Sequence, residues 1–328
     1  MKNIKGFNYN KTDYMYIRKY EDGKWSEGKL TEDDNITISA MSTSLHYGQQ
    51  AFEGLKAYKN DKGEINLFRV KDNAKRFRKS CERLLMPAIP EEEFVDAVKK
   101  VVLANEKYIP QSKTQALYIR PFMIGVGPKL GVGPSENYLF MILVSPVGAY
   151  FTEVKPIDVM VTDYDRAAPR GTGDVKVGGN YASSLIALHE AKSQGFNDTI
   201  FLDPKTHKYI EEVGAANFFG ITKDNKYVTP TSNSILASIT NDSLKKVARD
   251  YLGLEVIEGN ILINDVDKFE EVGACGTAAL ITPIGSITHN DKVINYNKHD
   301  ISLKLKETLL SIQYGEIEDK FNWVTKIN

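Results

Sequence analysis

The run Gly171-Thr172-Gly173-Asp174-Val175-Lys176-Val177-Gly178-Gly179-Asn180-Tyr181 crowds four glycines around one lysine just before a helix-patterned stretch. Glycine at this density lets the backbone come close to a neighbour or a ligand. The valines on either side of Lys176 predict a partly desolvated ammonium with a lowered pKa, which turns a lysine into a nucleophile or a base. Spacing excludes two phosphate-binding arrangements. A P-loop needs its lysine after the second glycine, followed by Ser or Thr, whereas Lys176 precedes Gly178 and is followed by Val177. A dinucleotide fingerprint needs glycine where Lys176 stands, three residues after Gly173. A flexible turn and a cofactor carried by the lysine itself are the readings that remain.

At 328 residues, with 42% hydrophobic residues, the chain fits two domains, each with its own core. The net charge of −1, with both signs interspersed, offers no basic stripe to nucleic acid or to an anionic membrane. Small molecules and other protein chains are the expected partners. The N-terminal Met1-Lys2-Asn3-Ile4-Lys5 lacks a secretory apolar core, and the apolar run 140–144 is too short to span a bilayer, so a cytoplasmic location is expected. Cys81 and Cys275 lie far apart without metal-ligand spacing, which predicts no metal site and suits a reducing compartment.

The N-terminal part mixes strands and helices. Asp22-Gly23 and Asp61-Lys62-Gly63 are turn signals, with a strand at 65–68. Ala74, Phe77, Cys81, Leu84 and Leu85 predict a helix from about Asn73, stopped by Pro87, and Pro90 with Glu91 to Glu93 opens another. Strands follow at 116–124 and 138–144. Pro146-Val147-Gly148 interrupts the strand pattern and marks the expected interdomain linker. Beyond it come a strand at 157–162, a helix striped by Tyr181, Leu185, Leu188 and Ala191, strands at 199–202, 209–213 and 217–221, and helices from Thr240 and Asp300.

Three further segments carry chemistry. Adjacent Glu211 and Glu212 on a strand point to opposite faces, so one of them turns inward and needs a partner, for which a protonated pyridine nitrogen would serve. Two solvated glutamates near a hairpin is the alternative. Ser238-Ile239-Thr240-Asn241 opens a helix, and Gly276-Thr277-Ala278-Ala279 is a small-residue turn, and both offer backbone N–H groups to an anion. Lysine, glutamate and anion cup together suit a phosphorylated pyridine aldehyde.

With these residues the chain resembles the branched-chain aminotransferases, fold-type IV enzymes that use pyridoxal 5'-phosphate. The likeness runs from His46-Tyr47-Gly48-Gln49-Gln50-Ala51-Phe52-Glu53-Gly54-Leu55-Lys56-Ala57-Tyr58, through Tyr118-Ile119-Arg120-Pro121 and the lysine loop, to Gly276-Thr277-Ala278. The resemblance implies that Lys176 carries the cofactor and moves the substrate proton. It implies that Tyr181 bonds the cofactor's phenolic oxygen, that Glu212 meets its ring nitrogen, and that Arg76, Ile239, Thr240 and Thr277 hold its phosphate. Tyr118 and Arg120, two apart on a strand, match a carboxylate-binding pair. Tyr47, Phe52, Val132, Tyr150, Thr277 and Ala278 match substrate-site positions, with Tyr47 and Val132 reaching a neighbouring subunit's site. Asn241 departs from the arginine of many bacterial members. Ala279 and Thr282 replace the paired cysteines of animal members, and Ala215 replaces a hydroxyl residue.

What the resemblance implies is a mixed α/β (α+β) two-domain fold. Residues 1–145 would form a smaller N-terminal domain, 146–155 a linker, and 156–328 a larger cofactor-binding domain with a β-barrel-like core. The implied reaction is reversible amino transfer from L-leucine, L-isoleucine or L-valine to 2-oxoglutarate, giving branched 2-oxo acids and L-glutamate, in a homodimer or higher homo-oligomer. D-amino-acid aminotransferase and aminodeoxychorismate lyase share the fold and stand as alternatives. A non-catalytic phosphate-binding module would account for the glycines but not for Lys176.

Overall fold

A computed structural model of the chain describes residues 6–113, 115–148 and 155–328. The chain divides into two compact units that are discontinuous in sequence. Met1–Thr152, Val175–Gly179 and Ile312–Asn328 form the first, and Glu153–Asp174 with Asn180–Ser311 form the second. The lysine segment thus belongs to the first unit, although the residues flanking it belong to the second.

The first unit is built on an antiparallel sheet. Its strands are β1 (Met15–Glu21), β2 (Lys24–Trp25), β3 (Lys29–Thr31), β4 (Gln50–Phe52), β5 (Leu55–Lys59), β6 (Ile65–Phe68), β7 (Ala116–Gly125) and β8 (Tyr138–Val147), joined at one edge by the C-terminal strand Val324–Lys326. A short helix, α1 (Thr43–Tyr47), precedes β4. Helix α2 (Val70–Arg83) buries Val70, Ala74, Phe77 and Cys81 at helical spacing, and α3 (Glu91–Ala104) places three glutamates in its first turn, where the helix dipole favours negative charge. Both helices pack on the sheet through an aromatic trio. Phe77 and Phe94 lie 5.5 and 5.9 Å from Phe140 of β8, centroid to centroid. The helix expected from Asn73 starts at Val70, because Arg69 takes the left-handed conformation and turns the chain there.

Pro146 does not interrupt the strand. β8 runs through Val147, with Pro146 opposite Leu117 of β7. The ladder to β1 ends at the Tyr16–Ile142 pair, so Pro146 sits at an edge position, where a missing N–H is tolerated.

The second unit closes a barrel. Strands β9 (Ile157–Val161), β10 (Asp198–Leu202), β11 (Ile210–Val213), β12 (Ala216–Thr222), β13 (Lys226–Pro230), β14 (Glu255–Gly259), β15 (Phe269–Gly276), β16 (Leu280–His289) and β17 (Lys292–Asn295) form its sheet. The path β11-β10-β9-β16-β15-β12 returns to β11 through the β11–β12 pairing, which leaves β13, β14 and β17 outside the ring. β9 pairs in parallel with both β10 and β16. Val159, Ile200, Val213, Phe218, Val272 and Ile284 meet in its core. The helices are α4 (Gly178–Ser183), α5 (Leu185–Ser193), α6 (Ile239–Asp250) and α7 (Asp300–Tyr314). The single helix expected after the lysine is two short ones, and its stripe is misread. Leu185 is 64% exposed, while Ala187 and Ala191 are the buried positions. Among the described residues no helix is long and apolar enough to cross a membrane.

Candidate active site

In the first unit three elements converge on Lys176. Asn73, Arg76 and Ser80 are spaced along α2 so that they share one face. Tyr118 and Arg120 are two apart on β7 and share a face of the sheet. Phe52 and Glu53 lie where β4 gives way to β5, both strands being paired with β7, and the Glu53 N–H donates to the Pro121 carbonyl at 2.7 Å.

The lysine segment is anchored by its main chain. The Lys176 N–H donates to Ser80 Oγ at 2.9 Å, and its carbonyl accepts from the Phe52 N–H at 3.1 Å. Val175 and Val177 are buried in the core, and Val177 bridges to Ala51. A Cβ on Gly178 would meet the Gln50 side chain, which would have to move aside for any other residue.

The Lys176 residue keeps partial solvent access, while its amine is packed 4.7 Å from the centroid of the Phe52 ring. This packing lowers its pKa from 10.5 to about 8, chiefly through burial and then through the Arg76 charge, with Arg120 adding to the fall and Glu53 and Tyr118 opposing it. Glu53 is completely buried. It accepts a two-pronged contact from Arg76, Nε at 2.7 Å and Nη2 at 2.9 Å, and further hydrogen bonds from Asn73 Nδ2 at 2.7 Å and the Gly54 N–H at 3.1 Å. Burial works against its charge, yet Arg76, then Lys176 and Asn73, hold the carboxyl below its ordinary range.

Arg120 Nη2 donates to the Tyr118 hydroxyl at 2.8 Å, and the guanidinium stacks over Phe52 and Tyr118 at 4.9 and 5.1 Å. Its Nε is buried and has no hydrogen-bond partner among the described residues. A buried cation with an unmet N–H is a waiting anion receptor. Tyr47 and Val132 stand apart from this packed cluster, 42% and 88% exposed, and the Tyr47 hydroxyl donates to the carbonyl of Leu130. Tyr150 lies outside the described residues.

The second unit gathers the remaining expected residues. Glu212 on β11 accepts the Leu236 N–H at 2.9 Å and lies 3.1 Å from Arg166 Nε. Glu211 does face the other way, but it is not solvated. Both carboxylates are buried, because Ser232 and Ser234 cover Glu211 and donate to it at 2.6 and 2.5 Å. Arg166 Nη2 donates to the carbonyls of Gly173 and Ser234. Gly173 has to be glycine here, since a Cβ would strike the Ser234 backbone.

Ser238 caps α6, its Oγ accepting the Asn241 N–H at 3.1 Å, so Ile239 and Thr240 form the first turn with their N–H groups at the positive end of the helix. Asn241 is not placed for charge. Its side chain accepts from the Tyr227 hydroxyl at 2.7 Å and donates to Thr229 Oγ1 at 2.9 Å, tying this turn to β13. Thr277 and Ala278 occupy the turn between β15 and β16. Tyr181 is on α4 beside Asn180, which holds Thr172 through two hydrogen bonds of 2.6 and 2.7 Å. Burial pushes the Cys275 thiol up to about 12, which makes it inert.

Arg76, Lys176, Phe52, Tyr118 and Arg120 are therefore brought together in the first unit, and Glu212, Ile239, Thr240, Thr277, Ala278 and Tyr181 belong to the second. Sequence reasoning did not single out Glu53 or Arg166. A signal for Glu53 existed, an acid between Phe52 and Gly54 in an otherwise apolar strand region. Arg166, one arginine in a polar loop, carries none.

The model of the family described as amino-transferase class IV matches residues 50–287. The branched-chain-amino-acid aminotransferase of Haemophilus influenzae is 52% identical over 98% of this chain and 97% of its own length. Among solved structures, the branched-chain amino acid aminotransferase of Escherichia coli superposes with a TM-score of 0.80 at 29% identity, covering 97% of this chain and 100% of that one. A second branched-chain amino acid aminotransferase, from T.th. and solved in complex with N-(5'-phosphopyridoxyl)-L-glutamate, gives a TM-score of 0.80 at 28% identity, covering 97% and 99%.

Proposed function

The chain belongs to the class IV aminotransferases, as a branched-chain amino acid aminotransferase, and from that premise we propose how its own residues carry the reaction. The residues present fit pyridoxal 5'-phosphate. An amine must be neutral to bond an aldehyde, and Lys176, with its pKa lowered to about 8, gives up its proton far more readily than an ordinary lysine. A ring nitrogen needs an anion, and Glu212 has the Arg166 cation beside it. A phosphate needs donors, which Arg76, the first turn of α6 at Ile239 and Thr240, and Thr277 supply. When bound, the cofactor supplies an aldehyde that condenses with amines and a ring that takes up electron density from the substrate Cα.

Lys176 would hold the cofactor in the resting enzyme and would serve as the base that carries a proton between the substrate Cα and the cofactor C4'. Glu212 keeps the ring nitrogen protonated, and Tyr181 bonds the phenolic oxygen. The donors are L-leucine, L-isoleucine and L-valine, and the acceptor is 2-oxoglutarate, returned as L-glutamate. Phe52 and Tyr47 would contact the substrate side chain, with Tyr47 and Val132 serving the site of a second copy, and Tyr150, Thr277 and Ala278 would be further substrate contacts. Arg120 and Tyr118 receive a carboxylate. That a similar aminotransferase was solved with a phosphopyridoxyl-glutamate supports both the cofactor and glutamate as one substrate. The exposure of Tyr47, Leu130 and Val132 suits a homo-oligomer in which this loop meets a second copy. A cytoplasmic location accords with this reading.

The Lys176 amine, its pKa lowered by burial beside Arg76 and its main chain anchored to Ser80 and Phe52, carries the proposal. Borohydride treatment of the purified protein should bleach its visible band and leave a pyridoxyl group on the Lys176 peptide, and an amino-donor panel with 2-oxoglutarate should favour the three branched donors. A pyridoxyl group found on another lysine would overturn the assignment.

A further inference from the structure

The Arg76 cation sits close enough to Lys176 to lower its proton affinity, and Glu53, which grips Arg76 through two hydrogen bonds, is the carboxylate that acts on both. The groups bearing on the lysine charge are Arg76 from α2, Glu53 from the β4–β5 break, and Tyr118 and Arg120 from β7. Glu53 cannot touch a substrate, because it is 0% exposed. Nor is it free to act as an acid or base. Arg76 Nε, Arg76 Nη2, Asn73 Nδ2 and the Gly54 N–H together fill the acceptor capacity of one carboxylate. Whatever it contributes to the reaction it contributes through Arg76 and Lys176.

Resting on the proposed cofactor site, we propose that Glu53 is its positioning residue: it holds the Arg76 guanidinium in one orientation for the phosphate and supplies the negative charge that sets the protonation of Lys176 Nζ. Without it, two cations would face each other in a dry environment, and the arginine would lose the partner that fixes two of its three nitrogens. A purely structural role, neutralising Arg76 so that the unit folds, would leave the lysine's proton affinity where it is.

The test uses the full-length, cofactor-loaded protein. The protonation midpoint of Lys176 Nζ is read from the pH dependence of the visible band, and the dissociation constants of pyridoxal 5'-phosphate and of pyridoxal are compared. Glu53→Gln should lower the midpoint by about one unit and weaken pyridoxal 5'-phosphate by about tenfold or more, with a smaller effect on pyridoxal. Arg76→Gln should move the midpoint upward. The neutral pair Glu53→Gln with Arg76→Gln should bring it back to within about half a unit of wild type. Glu53→Asp keeps the charge on a shorter stem, so the midpoint should hold while discrimination for the phosphate falls. If Glu53→Gln leaves the buried arginine uncompensated and does not fold, the paired variant and Glu53→Asp still decide the matter. An unmoved midpoint in Glu53→Gln, or shifts of the same sign in the two single variants, would overturn the assignment. Failure of the cofactor reading looks different, since wild type itself would then carry no pyridoxyl group on Lys176.

Discussion

Arg166 and Glu212 form a buried ion pair in the second unit, with Nε 3.1 Å from the carboxylate and both side chains at most 6% exposed. The contact is one of charge, because the Nε–H is not directed at the oxygen as a hydrogen bond. The directed bonds go elsewhere. Nη2 holds the carbonyls of Gly173 and Ser234, while Glu212 takes the Leu236 N–H, so one arginine ties the loop before the lysine segment and the loop before α6 to the acid on β11. The acid thus has its counter-charge and its anchoring loops supplied by the same group.

Breaking such a pair on one side leaves an uncompensated buried charge, which typically costs about 3–5 kcal/mol, whereas removing both charges costs less. Arg166→Met should therefore lower the stability of the protein more than Arg166→Met combined with Glu212→Gln. Urea denaturation of the four members of this cycle measures the coupling. Additive losses would mean that Arg166 serves only the two carbonyls.

Glu212 and its neighbour should separate by phenotype. Glu212→Gln keeps the size of the side chain but removes the anion proposed to face the cofactor, so cofactor should remain bound while the proton-transfer half-reaction slows by about 10²-fold or more. Glu211→Gln replaces the charged acceptor of Ser232 and Ser234 with a weaker neutral one and puts an NH2 donor into a buried site, so it should show as lost stability with the half-reaction rate nearly intact. Single-turnover kinetics and thermal melts on both variants check this. Equal slowing by the two would refute the division of roles.

These assignments show what the chain order reveals and what it hides. The glycine-ringed lysine, the capped start of α6, the small-residue turn after β15 and the amphipathic stripe of α2 are local patterns, and the structure realises each, the α2 stripe only as far as Cys81, since the helix ends at Arg83 before Pro87 and left-handed Leu85 is exposed. Glu53 and Arg166 are different in kind. Their meaning lies in partners brought near by folding, Arg76 for one and Glu212 for the other, and an isolated acid or base in a polar loop carries no periodicity to betray it. The same holds for Glu211. Alternation along β11 correctly turns it away from Glu212, but only the loop after β13 decides that the second face is covered as well. Leu185 fails for the opposite reason, because the break between α4 and α5 rotates the stripe that continuous helical spacing would have buried.

Lys176 also has a thermodynamic signature. Its folded pKa of about 8 lies below the ordinary 10.5, so between those values the unfolded chain binds more protons than the native one, and stability of the cofactor-free protein rises with pH across that window. Below about pH 8 both states carry the charge, and the full cost of holding it in the first unit persists. Lys176→Met should thus raise the melting temperature of the cofactor-free protein by a few degrees at neutral pH, and the difference should shrink toward pH 10.5. The same substitution should abolish transamination, since loss of a positioned base alone costs about 10²–10⁴ in rate. A melting difference that does not change with pH would place the lysine's charge in solvent.

Arg120 should discriminate between the two kinds of substrate. It shares a face of β7 with Tyr118, to whose hydroxyl Nη2 donates at 2.8 Å, and its buried Nε–H lacks an acceptor among the described residues. Glutamate and 2-oxoglutarate bring a distal carboxylate that can fill that position, and leucine does not. A charge-assisted hydrogen bond of this kind contributes about 1.5–3 kcal/mol, or roughly 10–100-fold. Arg120→Met should accordingly slow the glutamate half-reaction by that factor while the leucine half-reaction changes little. The flanking Phe52 and Tyr118 rings allow for the methionine chain, so packing loss should be small. Single-turnover absorbance changes with each donor decide the matter: equal losses for both would mean that Arg120 receives the α-carboxylate common to every substrate, and the distal carboxylate would then have to be met by a different cation.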